Sequence, residues 1–379
     1  MTNKVHKLAV YIGRFQPFHI GHRNVLDQIS SAVDSTLILV GSSYRPRSWK
    51  NPFTFAERKE FIDHGTADMS MPVDTLPLVD TLYNDRSWAS NVRTAVRIYM
   101  RAKGLSEENT EVILTGFEKD QSSKYLRWFP EWEILPASAA KYKGEVINAT
   151  DLRQAIFFPQ NIEFGHVSAR YGNKQVAAVV EWQKKNQASY ETVQSEGAFT
   201  LESRENIAKA EKVFGYPIPI NTADAVVVQS GHILMMRRGH QPGKGTWALP
   251  GGHIRPNETS LDASLRECVA KTRIDMPKGA IKGRLRNSKV FDHPERSERG
   301  WVRTEAFYFE LEDRQDLERF KDENKSDVVL EGMATWVPIS EITPDGIFED
   351  HFDIIQHFVS EVSNSYTSIL MAHAGGISK

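Results

Sequence analysis

The chain has 379 residues, enough for two domains that each bury a core. Acidic and basic side chains nearly balance, leaving a formal net charge of −2, which gives no support to a broad basic field that would hold nucleic acid. A single cysteine, Cys268, rules out an internal disulfide, and no uninterrupted apolar stretch reaches membrane-spanning length.

Met1–Leu8 is polar and lacks the apolar core of a signal peptide, so a cytoplasmic protein is expected, with neither membrane nor nucleic acid as a partner. The apolar run Leu8–Ile12 predicts a buried strand. The string Gly13-Arg14-Phe15-Gln16-Pro17-Phe18-His19-Ile20-Gly21-His22 follows it. Val25, Leu26, Ile29 and Val33 then fall on one helical face, predicting a helix at about Arg23–Val33. Further strands are predicted at Thr36–Val40, Val73–Leu78, Glu111–Thr115 and Trp132–Leu135, with helices at Phe55–His64 and Ser87–Ala102. Strands alternating with helices predict a parallel sheet covered on both faces, with ligands beyond the carboxyl ends of the strands. Helices follow at Thr150–Phe157 and about Val167–Lys185.

Residues 186–205 are polar and read as a linker with a short helix at Glu205–Phe214. Tyr216-Pro217-Ile218-Pro219 marks entry into a second domain. There Ala223–Val228 and His232–Met236 read as strands joined by a turn at Ser230-Gly231. Leu261–Ile274 reads as a helix, and Ala306–Leu311 and Thr335–Pro338 as strands. The expected organisation is an α/β domain over 1–185, a linker over 186–215 and an α+β domain over 216–379 that ends in a helix.

His19 and His22 lie three apart at the start of a helix, where free N–H groups and the positive end of the helix dipole attract phosphate. Each imidazole can donate a hydrogen bond to a phosphate oxygen. Gly13 is expected to let the backbone approach a ligand, Gly21 to open the turn, and Arg14 to neutralise a phosphate. Nucleotidyl transfer depends mostly on positioning and charge stabilisation, which such a turn supplies. In Ile147-Asn148-Ala149-Thr150-Asp151-Leu152-Arg153, Thr150 is placed to cap a helix and Arg153 to grip a phosphate.

The ten-residue string resembles the signature of the HxGH nucleotidyltransferases. Its GRFQPFHxGH form resembles nicotinamide mononucleotide (NMN) adenylyltransferases of the archaeal-like type. The resemblance implies a Rossmann-like fold and the joining of NMN to the AMP part of ATP, giving NAD and pyrophosphate without a covalent enzyme intermediate. It implies that His19, His22 and Arg153 hold the phosphates and stabilise the transition state. Gly13, Arg14, Phe15, Gly21, Asn51 and Thr150 would bind nucleotide, Asp85 and Trp88 would orient NMN, and Mg²⁺ would accompany ATP. Asn51-Pro52-Phe53-Thr54 with Glu57-Arg58 resembles the family's NPFT…ER element. Asn84-Asp85-Arg86-Ser87-Trp88 resembles the nicotinamide-packing region. The stretch from Gly116 to Leu126, with Phe129-Pro130-Glu131-Trp132 after it, resembles a segment of bacterial two-domain members. In the family's ISSTxIR pattern, Asn148 and Ala149 stand at the two serine positions. The family commonly assembles into homo-oligomers, and the resemblance leaves open NMN against nicotinic acid mononucleotide.

The second half resembles a Nudix domain of the kind fused behind this transferase in bacterial and phage proteins. Trp247-Ala248-Leu249-Pro250-Gly251-Gly252-His253 leads into the box, where Gly252, Glu258, Arg266 and Glu267 match in position. Ala270 and Lys271 occupy the places of two glutamates, and Arg273 stands where a glycine is usual. The Nudix helix gathers carboxylates around Mg²⁺, for which Glu267, Glu258 and Glu331 remain as candidates. Lys271, four residues beyond Glu267, brings a positive charge to the cation's place. The expectation is a retained fold with lost or weak hydrolysis, binding ADP-ribose or NAD without cleavage, with Trp247 and Phe291 as candidates to stack on a ring. One alternative is a bifunctional enzyme that also hydrolyses ADP-ribose to AMP and ribose 5-phosphate. The other is a nucleotide sensor in which both sites only bind.

Overall fold

The computed structural model describes residues 5–116, 121–159, 164–321 and 334–359, with backbone alone at 121–124 and 164–165. The chain folds as two units. Among the described residues the first comprises 5–44 and 50–194, and the second 45–49 and 195–359. No helix among the described residues is long and apolar enough to cross a membrane.

In the first unit the opening apolar run becomes His6–Gly13 (β1), whose Leu8, Ala9 and Val10 are fully buried. Ile20–Ile29 (α1), Ser35–Val40 (β2), Phe55–Thr66 (α2), Val73–Pro77 (β3), Asp85–Ala102 (α3), Thr110–Gly116 (β4) and Glu133–Pro136 (β5) follow. The strands form one parallel sheet in the order β3-β2-β1-β4-β5. The order reverses beside β1, so the carboxyl ends of β1 and β4 flank the crevice where doubly wound sheets bind ligands. Every residue of β2 is buried, as a strand covered on both faces must be. Leu8, Val10, Leu37, Leu39, Leu76 and Leu114 pack against Val92, Val96 and Tyr99 of α3.

A short hairpin, Lys141–Tyr142 (β6) and Glu145–Val146 (β7), leads to Ala149–Phe157 (α4), Phe164–Tyr171 (α5), Asn173–Lys185 (α6) and Gln187–Phe214 (α7). The single helix expected over Val167–Lys185 is broken at Gly172, which sits at φ +96 and leaves no room for a Cβ beside Gln175. The polar stretch read as linker is helical from Gln187 onward. Its polar composition hid buried positions at Tyr190, Val193, Glu196 and Thr200, spaced three and four apart.

The second unit contains Ile220–Gln229 (β8), His232–Arg237 (β9), Trp247–Ala248 (β10), Gly251–His253 (β11), Ser260–Thr272 (α8), Lys278–Lys282 (α9), Leu285–Phe291 (β12), Val302–Glu310 (β13), Ala334–Pro338 (β14) and His351–Phe358 (α10). Its mixed sheet runs β10-β9-β8-β13-β12, with β11 on β8 and β14 on β9. β8 and β13 are parallel and the other pairs antiparallel. Ala263, Leu265 and Cys268 of α8 pack against Ala225, Val227, Phe307 and Phe309. β12 lacks the apolar alternation that announces a strand because it lies at a sheet edge, with most of its residues exposed.

Candidate functional site

The HxGH string occupies the turn from β1 into α1. His19 is the N-cap of α1, and its Nδ1 accepts the Gly21 N–H at 3.1 Å. His22, at the third helical position, returns the favour: its Nδ1 accepts the His19 N–H at 3.2 Å. This is a capping box built from two imidazoles. A nitrogen that accepts cannot carry the proton, so each ring holds its hydrogen on Nε2, as a donor facing away from its own backbone bond. The rings stack with centroids 3.8 Å apart at 26°. Phe18 also stacks on His22 at 5.5 Å, and Phe15 meets it edge-on at 4.8 Å.

Two glycines owe their identity to these rings. A Cβ on Gly21 would lie 2.9 Å from the His19 ring, and one on Gly13 would lie 2.9 Å from the Phe15 ring. Phe15 itself sits at φ +50, a left-handed conformation rarely taken by a bulky residue.

Buried polar side chains fasten this turn to its neighbours. Arg58 of α2 is fully buried and donates to the carbonyls of Arg14 at 2.7 Å, Gly41 at 2.6 Å and Ser42 at 3.1 Å. Burial pushes its guanidinium pKa down to about 9, with Asp80 opposing and Arg14 adding to the fall. Asp80 accepts from the Ser42 N–H at 3.2 Å and from its hydroxyl, holding Ser42 at φ +51. Gln16 brackets the Phe53 backbone, donating to its carbonyl and accepting its N–H, both at 3.0 Å. The half-buried Asn51 is thereby held two residues from this bracket. Arg153 of α4 is buried and donates to the Gln16 carbonyl at 3.0 Å and to the Thr150 hydroxyl at 3.2 Å. Asn148 caps α4, its carbonyl oxygen accepting the Asp151 N–H at 2.9 Å.

Asp85 opens α3 and is exposed, while Trp88 is half-buried, edge-on to Tyr125 at 5.5 Å and Trp128 at 5.7 Å. The Tyr125 hydroxyl donates to the Ile12 carbonyl at 3.1 Å, tying this aromatic group to the end of β1. Burial raises the Tyr125 phenol to about 12, so it stays protonated.

In the second unit, the carboxylates of the box are taken up by cations. Arg266 grips Glu258 through Nε at 2.9 Å and Nη2 at 2.5 Å, and it also donates to Glu267. The bond from Arg266 holds the Glu258 carboxyl down at about 2. Lys271 Nζ lies 2.8 Å from the Gly251 carbonyl and 3.5 Å from Glu267 Oε2. Gly252 lets the Glu267 carboxyl approach the backbone, since a Cβ there would lie 2.7 Å from the carboxyl carbon. No group of three or more His, Cys, Asp or Glu side chains that could hold a metal ion occurs among the described residues. Beside this helix lies a cavity of about 190 Å³ whose walls include Arg238, Leu249, His253, Lys271, Arg299 and Phe348.

Comparison with known proteins agrees with both halves. The cytidylyltransferase-like family matches residues 10–154, and the NUDIX domain family matches residues 219–358. A nicotinamide/nicotinic acid mononucleotide adenylyltransferase from Acinetobacter baylyi is 33% identical over 155 residues, covering 41% of this chain and 77% of that protein. A nicotinamide-nucleotide adenylyltransferase from Saccharolobus solfataricus is 34% identical over 171 residues, covering 39% of this chain and 96% of that protein. The chain belongs to the nicotinamide-nucleotide adenylyltransferase family. It is a nucleotidyltransferase with a Nudix-fold second unit. A crystal structure of a bifunctional NMN adenylyltransferase/ADP ribose pyrophosphatase from Francisella tularensis, complexed with AMP and a manganese ion, superposes with TM-score 0.77 at 28% identity. It covers 94% of this chain and all of that one.

Several expectations about this adenylyltransferase change with the geometry. Thr150 does not cap α4. Asn148 does, because asparagine caps as well as the serine it replaces, and Thr150 instead meets Arg153. Phe15, expected to bind nucleotide, is 1% exposed and turns its ring into the core, where it meets His22 edge-on. Gly13 and Gly21 make room for side chains, where space for a ligand and an open turn were expected. Phe291 is fully buried against His357 and Phe358 and cannot stack on a ligand. Glu258 and Glu267, the candidates for a metal, are paired here with Arg266, and Glu267 also faces Lys271 at 3.5 Å. Residues 117–120, within the segment from Gly116 to Leu126, and Glu331 lie outside the described residues. Gln16, Arg58 and Tyr125 were visible inside quoted motifs without a role, whereas Ser42 and Asp80 carried no signal that a single sequence exposes.

Proposed function

We propose that the first unit binds ATP across the β1–α1 turn and transfers its adenylyl group to the phosphate of NMN. An oxygen of the NMN phosphate attacks the α-phosphorus, the bond from that phosphorus to the bridging oxygen breaks, and pyrophosphate leaves. His19 and His22 donate through Nε2 to the phosphate oxygens on which charge accumulates. Arg14, exposed at the same edge, and the first N–H groups of α1 add positive potential. Arg153 positions the turn through Gln16, Thr150 contributes its hydroxyl at the start of α4, and Asn51 lies beside the turn. Asp85 and Trp88 orient the pyridine nucleotide. Mg²⁺ would accompany ATP, held by phosphate and water, and would neutralise charge on the phosphates. The observation that carries this reading is the pair of Nδ1 acceptors, which fixes both rings as Nε2 donors.

Purified full-length protein given ATP, NMN and Mg²⁺ is expected to form NAD. His19→Ala is expected to lower kcat by about 10²–10³-fold while changing the KM for ATP much less. Absence of NAD above background from folded protein rejects the reading. The same assay with nicotinic acid mononucleotide reads the substrate preference.

We further propose that residues 1–185 carry the transfer, 186–215 join the halves, and 216–379 bind an adenine dinucleotide or ADP-ribose without hydrolysing it. The cations on Glu258 and Glu267 support that reading. Similarity over nearly the whole chain to the bifunctional Francisella protein favours the alternative, in which ADP-ribose is cleaved to AMP and ribose 5-phosphate. Chromatography of ADP-ribose incubated with protein and Mg²⁺ separates the two. AMP that appears with the wild type and vanishes with Glu267→Gln establishes the alternative.

A further inference from the structure

We infer that the cavity of the second unit is a diphosphate-binding site in which the Lys271 ammonium stands in the place of a divalent cation, so that binding requires no metal. The inference rests on the reading of this unit as a binder and gives it a ligand class and a mechanism. Lys271 Nζ bridges a backbone carbonyl, Gly251, and a helix carboxylate, Glu267, which are two oxygens of the kind a hard cation takes. A tethered ammonium at that point satisfies both and leaves its positive field on the cavity wall. The second carboxylate, Glu258, is closed off by the paired bonds from Arg266. The donor set therefore does not fit a metal ion, although the pocket around it persists.

The cavity's chemistry selects an anion. Four cations line it, Arg238, Lys271, Arg296 and Arg299, against two carboxylates, Asp224 and Glu349. Arg296 is engaged by Asp350 in two bonds of 2.9 Å, and Arg299 meets Glu349 at 3.3 Å, so these two act mainly as frame. Arg238 lies 3.8 Å over the Phe348 ring and donates through Nε to the Pro242 carbonyl at 2.7 Å. Lys271, at the box itself, is thus the cation placed to take phosphate oxygens, and Arg238 adds positive charge to the same wall. The field of the wall is felt by His253, whose pKa is lowered by burial, Arg299 and Lys271, with Glu267 opposing. Met236, Leu249 and Phe348 supply an apolar flank for a ring. At about 190 Å³ the cavity is well above the size of one water. It is also smaller than the several hundred Å³ that enclose a whole drug-sized ligand. It encloses the diphosphate and one flank of a nucleotide, with the remainder outside.

The test is a calorimetric titration of the full-length protein with ADP-ribose, once in EDTA and once in MgCl₂, with hydrogen exchange of residues 248–253 locating the site. Wild type is expected to bind with Kd values within about threefold of each other in the two buffers and to protect 248–253. Lys271→Met is expected to weaken binding at least about tenfold, and Lys271→Arg to retain it. Lys271→Glu is expected to bind only when Mg²⁺ is supplied. Wild-type binding that disappears in EDTA overturns the inference. So does no binding in either buffer, or Lys271→Met and Lys271→Glu that bind like wild type. If a variant fails to fold, the EDTA comparison on wild type decides alone. AMP released in the MgCl₂ sample defeats the non-hydrolysing reading separately, leaving the EDTA arm to judge the role of Lys271.

Discussion

At the scale of single residues, the transfer site depends on space left for a ring. The His19 imidazole lies against Gly21, both accepting its N–H and filling the place of its missing side chain. Gly21→Ala must therefore push the ring off its bond. We expect kcat to fall by about 10²-fold with the KM for ATP altered far less, and steady-state kinetics on the folded variant checks it. A second residue takes a strained backbone conformation. Arg273 ends α8 in the left-handed conformation at φ +54, at a position the Nudix pattern reserves for glycine. Arg273→Gly should stabilise the second unit by roughly 0.5–1 kcal/mol, read as an upward shift in Tm. The unusual arginine was legible in the sequence. Its backbone conformation was legible only through the family pattern, because side-chain identity alone does not report φ.

At the scale of elements, buried polar groups on helices do the joining. Arg58 brings α2 to the ends of β1 and β2, and Arg58→Met leaves three carbonyls without their donor. A loss of about 3–5 kcal/mol is expected, measured by denaturant unfolding of the first unit. Glu196 on α7 illustrates the opposite balance. Burial raises its carboxyl to about 7, with Glu349 pushing the same way and the Trp49 and Gly243 N–H groups and Arg238 opposing. Since the folded form holds the proton more tightly than the unfolded form, stability from this group is full below about 4.5 and is lost as pH rises toward about 7. The loss amounts to roughly 3 kcal/mol. Glu196→Gln should therefore raise the Tm of the second unit at pH 8 and leave it nearly unchanged at pH 4.5. Helical periodicity made α2 and α3 readable from the chain. It concealed α7, whose few buried positions carry Tyr, Glu and Thr as well as Val, so that composition spoke louder than spacing.

At the scale of the whole molecule, the strand–helix alternation of the first half was readable because most of its strands carry an apolar run, although the order of the strands in the sheet was not. The second half was less readable. β10 and β11 are two and three residues long, too short for any period to show. The transfer site was visible as a string, but the long-range bonds that hold it, such as Arg153 to Gln16 across 137 positions, leave no local trace. Cys268, the chain's one thiol, reports on this larger organisation: it is fully buried, and burial raises its pKa to about 12. A thiol reagent such as a disulfide dye should leave the native protein unlabelled at pH 8. It should react in denaturant along the unfolding curve of the second unit, and rapid labelling without denaturant would contradict the buried placement.

The bonds that hold the transfer site share one further trait. Arg58, Arg153, Tyr125 and Gln16 all fasten main-chain atoms, those of Arg14, Gly41, Ser42, Gln16, Ile12 and Phe53. The frame that aims the two imidazoles thus grips main-chain atoms. Exchanging the exposed Arg14 side chain leaves those bonds in place, whereas Ser42 is also tied through its own hydroxyl to Asp80.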